Sequence, residues 1–421
     1  MRQSIPAPRW RLPLVVGLLV LLPVLWAWPQ GVGGWRAAGI VAGWLGFGLW
    51  VAALLLMVRE ARLAAWLGGL ERMYDWHHKL GSLAYPLILA HPLLLAADLL
   101  DESAQAAWSL LLPIPLDWAI GFGWLGVLLL VPGMALALHS GLPYRRWRAW
   151  HALLALPVAF AGLHLYALGL RSLLWGAPAL AALFLLWRYL RSDCGLGARP
   201  YLVSEVTQPL PGIVEISLQP LPSVPFASAH PGQFVLLAFG QAAGFVGCGE
   251  FHPFTLSAIE AGGRWRVVIK ALGPCSAHLQ DLRPGVPVRV QGPFGEFLAA
   301  AGGQPACWFA GGIGITPFLA RLRAPEPMAA THLYYFCRAL DALPYGDELR
   351  ALTQLHPEFS WQPCVALPKD DVADFLPSAA QLDGRDCYLC GPPPWMASVR
   401  AVLLARGVPE ARIHFERFEF R

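Results

Sequence analysis

The sequence predicts a membrane bundle of six helices, followed by a small antiparallel β-barrel and an α/β domain with a parallel sheet. Hydrophobic residues make up 56% and charged residues only 14% of the 421 residues, which is unusual for a soluble protein. The apolar content is concentrated before about residue 192, whereas the later sequence has short segments punctuated by Gly and Pro. We therefore expect three domains, at residues 1–192, 196–300 and 301–421.

Six apolar segments before residue 192 each approach the ~20 residues that cross a bilayer core. Six crossings place both termini on one side of the membrane. No small-residue cleavage site follows the first segment, so we interpret it as a crossing rather than as a signal peptide. The segments lie at roughly residues 12–29, 36–58, 77–97, 117–138, 150–170 and 173–190.

Basic residues gather at the segment ends that share one side of the predicted bundle. The positive-inside rule makes that side cytoplasmic. We therefore expect a multi-pass protein of the bacterial inner membrane, in contact with the lipid bilayer and with both termini in the cytoplasm. The opposite side carries Asp98, Asp101, Glu102 and Asp117, and the basic set is Arg2, Arg9, Arg11, Arg59, Arg62, Arg72, Lys79, Arg145, Arg146, Arg148, Arg188 and Arg191.

Four histidines lie at matched depths inside the third and fifth segments. A histidine inside a bilayer is costly unless it has a partner or a ligand. Neutral imidazole is a common axial ligand of haem iron, and two imidazoles fill both axial positions, which suits electron transfer. We therefore predict two stacked b-type haems. The inner pair of ligands is His77 with His151, and the outer pair is His91 with His164.

The spacing of these histidines favours one helix more than the other. His77 and His91 are 14 residues apart, which is roughly 20 Å along a helix and roughly 40° in direction. His78, 13 residues from His91, is the alternative to His77. His151 and His164 are also 13 residues apart, roughly 140° on an ideal helix, so their use as ligands requires a kink or tilt, for which Pro157 is the candidate.

The second half of the sequence predicts a barrel and then a parallel sheet. Short strands such as GQFVLLAF and RWRVVIKAL, separated by Gly and Pro turns, are typical of a small antiparallel barrel. Apolar strands then alternate with helical segments, which indicates a parallel sheet. A glycine-rich turn from Gly311 to Pro317 brings backbone amides and the start of a helix close to an anion such as a pyrophosphate.

Charge and cysteine content exclude other classes of protein. The net charge is only +4, and no basic stripe interleaved with aromatic residues indicates nucleic-acid binding. All eight cysteines follow residue 192, on the side predicted to be cytosolic, where disulfides are rare. Cys387 and Cys390 are close in sequence, but no second pair follows. This pair alone therefore lacks what a zinc site requires, and we expect no iron–sulfur cluster.

Four motifs give the second half a family resemblance, because they follow the order seen in ferredoxin–NADP⁺-reductase-like modules. The N-terminal half resembles the ferric reductase-like transmembrane domain, including the run His77-His78-Lys79-Leu80-Gly81. Together the two halves resemble the NADPH oxidase and ferric reductase superfamily. The four motifs are His252-Pro253-Phe254-Thr255-Leu256-Ser257, Gly292-Pro293-Phe294-Gly295, the turn from Gly311 to Phe318, and Cys390-Gly391-Pro392-Pro393-Pro394.

The resemblance implies a site for FAD and a site for NADPH or NADH. Thr255 would hydrogen-bond near the reactive nitrogen of the flavin, and Cys390 would lie beside the nicotinamide ring. The other residues implied for FAD are His252, Pro253, Phe254, Ser257, Lys270, Gly273 and Ser276. The other residues implied for the nucleotide are Gly311, Gly312, Gly314, Thr316, Pro317, Gly391 and Pro392.

Two further assignments come from the resemblance. Relatives stack a terminal aromatic residue on the flavin, and Phe418 matches this residue by its offset from His414, with Phe420 as the alternative. Arg338 follows a strand, at a position where relatives contact the adenosine ribose or its 2′-phosphate. A guanidinium at this position pairs well with a phosphate and favours NADPH over NADH.

The resemblance implies an oxidoreductase that passes electrons from NAD(P)H through FAD and two haems to oxygen or a ferric chelate on the far side. The animal oxidases carry a further outer histidine where this chain has Leu95, so a preference for oxygen is not supported. One alternative is an electron-supply subunit for a periplasmic reductase, although relatives with that role generally lack the flavin and nucleotide module. Another is a membrane-anchored flavin reductase without haem. No obligatory protein partner is evident from the sequence.

Overall fold

The computed structural model describes residues 8, 10–112, 117–139, 141–142, 144–172, 176–222, 228–298, 303–340, 343–366 and 371–416. The chain divides between Cys194 and Gly195 into two compact units. The first unit is helical, and the second contains a closed six-stranded barrel and a five-stranded sheet. The predicted fold class, a helical region followed by an antiparallel barrel and a parallel-sheet domain, is confirmed.

Helices lie at all six of the predicted apolar segments. Within the described residues, four stretches are long and apolar enough to cross a membrane: Gly34–Leu55, Leu70–Leu99, Trp118–Leu138 and Arg146–Ala167. The helices at the first and sixth segments have 16 and 12 residues, so their crossing stays a prediction. The described helices of this unit are α1 (Arg11–Trp26), α2 (Gly34–Leu55), α3 (Ala61–Leu67), α4 (Leu70–Leu99), α5 (Ala104–Leu111), α6 (Trp118–Leu138), α7 (Tyr144–Ala152), α8 (Leu156–Ala167) and α9 (Ala177–Arg188).

The helical unit exposes large apolar side chains along its outer surface. Leu22 is 57% exposed, Leu93 58% and Trp118 79%. A contiguous apolar surface of this kind marks contact with a membrane or a partner, and the apolar lengths of the helices favour the membrane.

Glycines allow α2 to approach α4 closely. A Cβ atom at Gly39, Gly43 or Gly46 of α2 would lie 2.8 Å from a side-chain atom of α4. Small residues at a helix interface let two backbones approach, which is a common way of packing membrane helices. The same arrangement recurs where α6 packs on α8, since a Cβ atom at Gly123 would lie 3.2 Å from His164.

The barrel closes in the strand order β1-β2-β7-β6-β3-β8, with antiparallel pairing throughout. Its interior is filled by buried aliphatic and aromatic side chains, among them Trp265 and Phe239. A short helix, α10 (Pro274–His278), follows β7. The strands are β1 (Arg199–Leu210), β2 (Ile213–Pro220), β3 (Phe234–Phe239), β4 (Gln241–Ala242), β5 (Phe245–Val246), β6 (His252–Ile259), β7 (Trp265–Lys270) and β8 (Pro287–Phe294).

The parallel sheet has the strand order β11-β10-β9-β12-β13. Its central strands are buried on both faces, as is usual when helices cover a parallel sheet. Because β9 and β12 are neighbours, the segments that follow them lie at the same edge. The strands are β9 (Ala306–Gly311), β10 (Thr331–Cys337), β11 (Phe359–Val365), β12 (Asp386–Cys390) and β13 (Ile413–Glu416), and the helices are α11 (Thr316–Leu322), α12 (Gly346–Leu355), α13 (Ala379–Leu382) and α14 (Pro393–Ala405).

Arg323 joins the barrel to the α/β domain. Its guanidinium lies 2.6 Å from Glu215 of β2 and 2.7 Å from Glu348 of α12, and it also donates to the carbonyl oxygen of Ser257 in β6 at 3.1 Å. Burial opposes the charge of Arg323, but its hydrogen bonds to Glu348 and Glu215 outweigh burial and raise the pKa of Arg323 above its ordinary value. Glu215 is only 8% exposed, so this pairing satisfies a carboxylate that has little contact with water.

We expect Arg323→Met to destabilise the second unit by about 3–5 kcal/mol, because it leaves the buried carboxylate of Glu215 without its cation. The matched control is Arg350→Met, which removes the exposed partner of Asp347 and should change stability by less than about 1 kcal/mol. Thermal unfolding of the purified full chain, followed by tryptophan fluorescence, measures both. Equal shifts for the two variants would show that the Arg323 cluster does not join the domains.

Candidate functional site

The inner pair of predicted ligands lies together in the structure. The ring centres of His77, on α4, and His151, on α7, are 6.0 Å apart, with their planes at 78°. A metal ion bound between two imidazoles at about 2 Å from each nitrogen holds the ring centres roughly 6 Å apart. His78 is exposed, whereas His77 is half-buried. The geometry therefore favours His77 over His78.

Three of the four histidines donate Nδ1–H to a backbone carbonyl of a neighbouring helix. His77 donates to Ala53 at 3.0 Å and His91 donates to Gly39 at 2.8 Å. His164 donates to Ala119 of α6 at 2.6 Å. A carbonyl can only accept, so the proton lies on Nδ1 and Nε2 keeps its lone pair. Histidines that bind metals are commonly held in this way, with the second nitrogen oriented by a carbonyl or a carboxylate.

His151 is held differently from the other three histidines. Its ring stacks on Trp147, with ring centres 5.0 Å apart and planes at 9°. Its Nδ1 is buried and has no hydrogen-bond partner among the described residues. A buried polar atom without a partner is costly, and in a native protein it calls for a specific explanation such as a ligand.

A tight turn separates the two histidines of the fifth segment. Residues Leu153–Ala155, between α7 and α8, form a 3₁₀ turn just before Pro157. A 3₁₀ turn rotates by about 120° per residue instead of about 100°, so three such residues reduce the offset between His151 and His164 from roughly 140° to roughly 80°. His164 lies within electrostatic reach of His91. The tighter winding of the 3₁₀ turn thus supplies part of the rotation between the two histidines for which an ideal helix would need a kink.

The structure brings the two predicted nucleotide motifs into contact. A Cβ atom at Gly314 would lie 2.0 Å from the carbonyl oxygen of Cys390, and one at Gly311 would lie 3.1 Å from Pro392. The contact follows from the adjacency of β9 and β12, since each motif begins at the end of one of these strands. The hydroxyl of Tyr335, on β10, donates to the carbonyl oxygen of Gly312 at 3.0 Å and so stabilises the turn.

The residues predicted for FAD lie on β6, at the end of β7, and in and just before α10. Thr255 and Ser257 are buried, whereas His252, Pro253 and Phe254 are half-buried and Lys270 is exposed. The hydroxyl of Ser276 accepts from the amides of Leu272 and Gly273, both at 2.9 Å, and so shapes the loop. His252 and Cys275 have side-chain nitrogen and sulfur atoms within 4.8 Å of each other, which shows that the start of β6 and the loop lie together.

Other predicted residues are not brought to these sites by the described structure. Arg338 is exposed after β10, and Phe418 and Phe420 lie outside the described residues. Near Cys390, burial raises the pKa of the Cys387 thiol to about 12, so that thiol stays protonated. Burial lowers the pKa of His414, and the nearby carboxylate of Asp386 opposes the shift.

Sequence reasoning missed three features of these sites. It did not identify the carbonyl acceptors of the histidines, the ion cluster around Arg323, or the proximity of Cys248, His252 and Cys275. The glycines of α2 could have indicated the carbonyl acceptors, because small residues mark a close approach of two helices. The other two join residues that are distant in sequence and follow no motif.

Comparisons with known proteins find matches to parts of the chain. Residues 42–162 match the family model described as ferric reductase like transmembrane component. The chain is 29% identical over 239 residues to a flavohemoprotein of Pseudomonas putida, covering 53% of this chain and 59% of that protein. It is 31% identical over 202 residues to the toluate 1,2-dioxygenase electron transfer component of Pseudomonas putida, covering 45% of this chain and 58% of that protein. The chain thus spans just under three fifths of the length of these relatives.

Two solved structures match different shares of the chain. The flavohem-like FAD/NAD binding domain of nitric oxide dioxygenase from Vibrio cholerae is 23% identical, with a TM-score of 0.45, and covers 52% of this chain and 98% of that one. A flavohemoglobin from Malassezia yamatoensis is 16% identical, with a TM-score of 0.47, and the match covers 100% of this chain and 99% of that one.

Residues 42–162 thus match a ferric reductase-like transmembrane component, and about half of the chain is similar to a flavohemoprotein and to a dioxygenase electron transfer component. More particularly, residues 42–162 match the ferric reductase-like transmembrane model, and the barrel and parallel sheet that follow Cys194 carry the motifs of the predicted flavin and nucleotide module.

We expect Gly314→Ala to destabilise the α/β domain by about 1–3 kcal/mol or more, because its Cβ would meet the backbone of β12, which has no room to yield. Gly303→Ala is the control, since a Cβ there meets nothing within 4 Å. Thermal unfolding compares the two variants with the unmodified chain. If Gly314→Ala unfolds at the same temperature as the control, the contact between the two motifs is wrong.

Proposed function

We propose that this chain is an NAD(P)H-dependent oxidoreductase of the inner membrane. It takes electrons from NAD(P)H on the cytoplasmic side and passes them through FAD and two b-type haems to an acceptor on the far side. The observation that carries the proposal is the set of Nδ1–carbonyl hydrogen bonds on three histidines inside apolar helices. These bonds leave Nε2 available in a chain that also contains a flavin and nucleotide module.

The histidines of the bundle fit haem. His77 and His151 would hold the inner haem, and His91 and His164 the outer one. The carbonyls that accept from Nδ1 fix the ring planes of the imidazoles and make Nε2 a stronger ligand. The stacking of His151 on Trp147 orients the fourth ring. When bound, FAD would turn a two-electron donor into single electrons and the haems would carry them onward.

The second unit fits FAD and the nicotinamide nucleotide. Thr255, buried at the centre of β6, would face the flavin, and the loop shaped by Ser276 would hold its pyrophosphate. The turn from Gly311 to Gly314 and the segment from Cys390 to Pro392 form one continuous surface for the nucleotide, because the glycines let the two segments touch. Arg338 is exposed after β10 and free to meet a 2′-phosphate, which favours NADPH.

The placement of charges supports the orientation. With six crossings, the basic ends of the helices and both termini lie in the cytoplasm, together with the second unit. An ion pair stabilises this basic side, since the guanidinium of Arg191 lies 3.3 Å from the carboxylate of Glu60. NAD(P)H is then oxidised on the cytoplasmic side and the acceptor is reduced on the other.

Two alternative functions are less well supported. A flavin reductase with a plain membrane anchor has no need for histidines oriented by hydrogen bonds inside its helices. An electron-supply subunit has no need for a fused flavin and nucleotide module. Oxygen and a ferric chelate both stay as acceptors, and at the position of the extra histidine of the animal oxidases Leu95 packs against Gly39.

The test uses the full chain in lipid nanodiscs, loaded with haem and FAD. Addition of NADPH or NADH without oxygen should give the absorption spectrum of a reduced b-type haem. Oxygen and a ferric chelate, supplied in turn, should reoxidise it, and superoxide-dismutase-sensitive reduction of cytochrome c identifies superoxide as a product. A haem that stays oxidised in the presence of NAD(P)H and FAD would refute the proposal.

We expect His77→Ala to lower the haem content by about half, because one of the two haems loses an axial ligand. His78→Ala is the matched control and should keep full haem content, because His78 is exposed and His77 is the residue paired with His151. Haem per chain is measured from the pyridine haemochrome spectrum. The opposite result, with haem lost only in His78→Ala, would make His78 the ligand.

We expect Gly43→Ala to weaken binding of the outer haem about 10–100-fold, because its Cβ would lie 2.8 Å from Nδ1 of His91 and would displace the ring from the carbonyl of Gly39. Gly17→Ala in α1 is the control, since a Cβ there meets nothing within 4 Å. Haem titration of the apoprotein measures both variants. Equal haem affinity in the two variants would show that the contact of Gly43 with His91 does not affect haem binding.

A further inference from the structure

Three side chains that bind metals lie together on the barrel, outside the bundle. Cys248 lies in the loop after β5, His252 begins β6 and Cys275 lies in α10. Their two sulfur atoms and one ring nitrogen are all within 4.8 Å of one another, and Sγ of Cys248 is 3.2 Å from Nε2 of His252. Cys248 is exposed and the other two are half-buried, so an ion can reach the cluster from solvent.

The ligand types and distances match zinc chemistry. Zinc binds cysteine sulfur at about 2.3 Å and histidine nitrogen at about 2.0 Å, so a tetrahedral site separates its ligand atoms by roughly 3.5–4 Å. The observed spread of the three atoms accommodates this geometry with small side-chain movements. Thiolates select zinc and other soft ions over Mg²⁺ and Ca²⁺. Three protein ligands leave the fourth position open to water or another small ligand.

The backbone holds the cluster in place. His252 pairs with Leu237 in the barrel, and Cys275 follows the loop that Ser276 shapes. The loop that carries Cys248 is tied at its start, where the amide of Gly247 donates to the carbonyl of Gly240 at 3.0 Å. The three ligands therefore come from segments with fixed positions, which lowers the cost of assembling a site.

We propose that Cys248, His252 and Cys275 bind a thiophilic divalent metal ion of the zinc class. On the basis of the proposed function, the same place is where the residues assigned to FAD meet, since His252 belongs to the cluster and Ser276 follows Cys275 in the chain. The metal ion and the flavin then compete, and zinc acts as an inhibitor of flavin loading.

The test is equilibrium dialysis of the full chain, free of affinity tag and kept reduced with a phosphine, against Zn²⁺. Bound zinc is counted by mass spectrometry, and zinc-edge X-ray absorption identifies the ligands. We expect one zinc per chain with sulfur at about 2.3 Å and nitrogen or oxygen at about 2.0 Å. Cys248→Ser and Cys275→Ser should each weaken binding at least about tenfold. Cys194→Ser, which changes an exposed cysteine outside the cluster, should not.

Zinc bound without sulfur, or bound equally by all three variants, places the ion elsewhere, for example on the histidines of the bundle, and overturns the proposal. So does the absence of bound zinc. Addition of FAD to the zinc-loaded chain should release the metal. If zinc is retained, the proposed competition between zinc and FAD is wrong. Flavin fluorescence polarisation in the same sample shows whether FAD was bound. Failure to bind FAD counts against the proposed function and leaves the metal site standing.

Discussion

The close approach of glycine-bearing helices to histidine-bearing helices is the contact on which the membrane unit depends. Gly39 and Gly43 let α2 approach α4 until a main-chain carbonyl reaches Nδ1 of His91 at 2.8 Å. Gly123 does the same for α6 and His164. Larger residues would hold the helices apart, and the imidazoles would lose both their orientation and their proton acceptor. Helix packing and ligand chemistry are therefore one constraint in this unit.

The second unit depends on two long-range arrangements of a different kind. Arg323 pairs with carboxylates from β2 and α12, so the barrel and the α/β domain share one buried ion cluster. The adjacency of β9 and β12 places the glycine turn against Cys390. The first arrangement sets how the two domains meet, and the second builds a surface from segments about 80 residues apart. Together they place β6 and the glycine turn in one module.

Much of this was predictable from the sequence, and the reason is periodicity. Apolar length located the helices, and alternation with Gly and Pro turns located the barrel and the sheet. The proximity of His77 and His151 followed from matched depth, but the phase of His164 did not, because a 3₁₀ turn at Leu153–Ala155 departs from the ideal helix. The cluster of Cys248, His252 and Cys275 was missed because its members share no motif spacing. Contacts of this kind depend on tertiary packing, which local patterns do not encode.

The acceptors of the three Nδ1–H groups belong to the main chain, and this has a consequence for how the protein tolerates change. A side-chain acceptor disappears with one substitution, whereas a carbonyl is present whatever residue occupies the position. Substitutions at Ala53 or Ala119 can move the acceptor but cannot remove it. The electronic character of the ligands is thus insensitive to most mutations in the neighbouring helices. Sensitivity is concentrated instead at the few glycines that set the distance between backbone and ring.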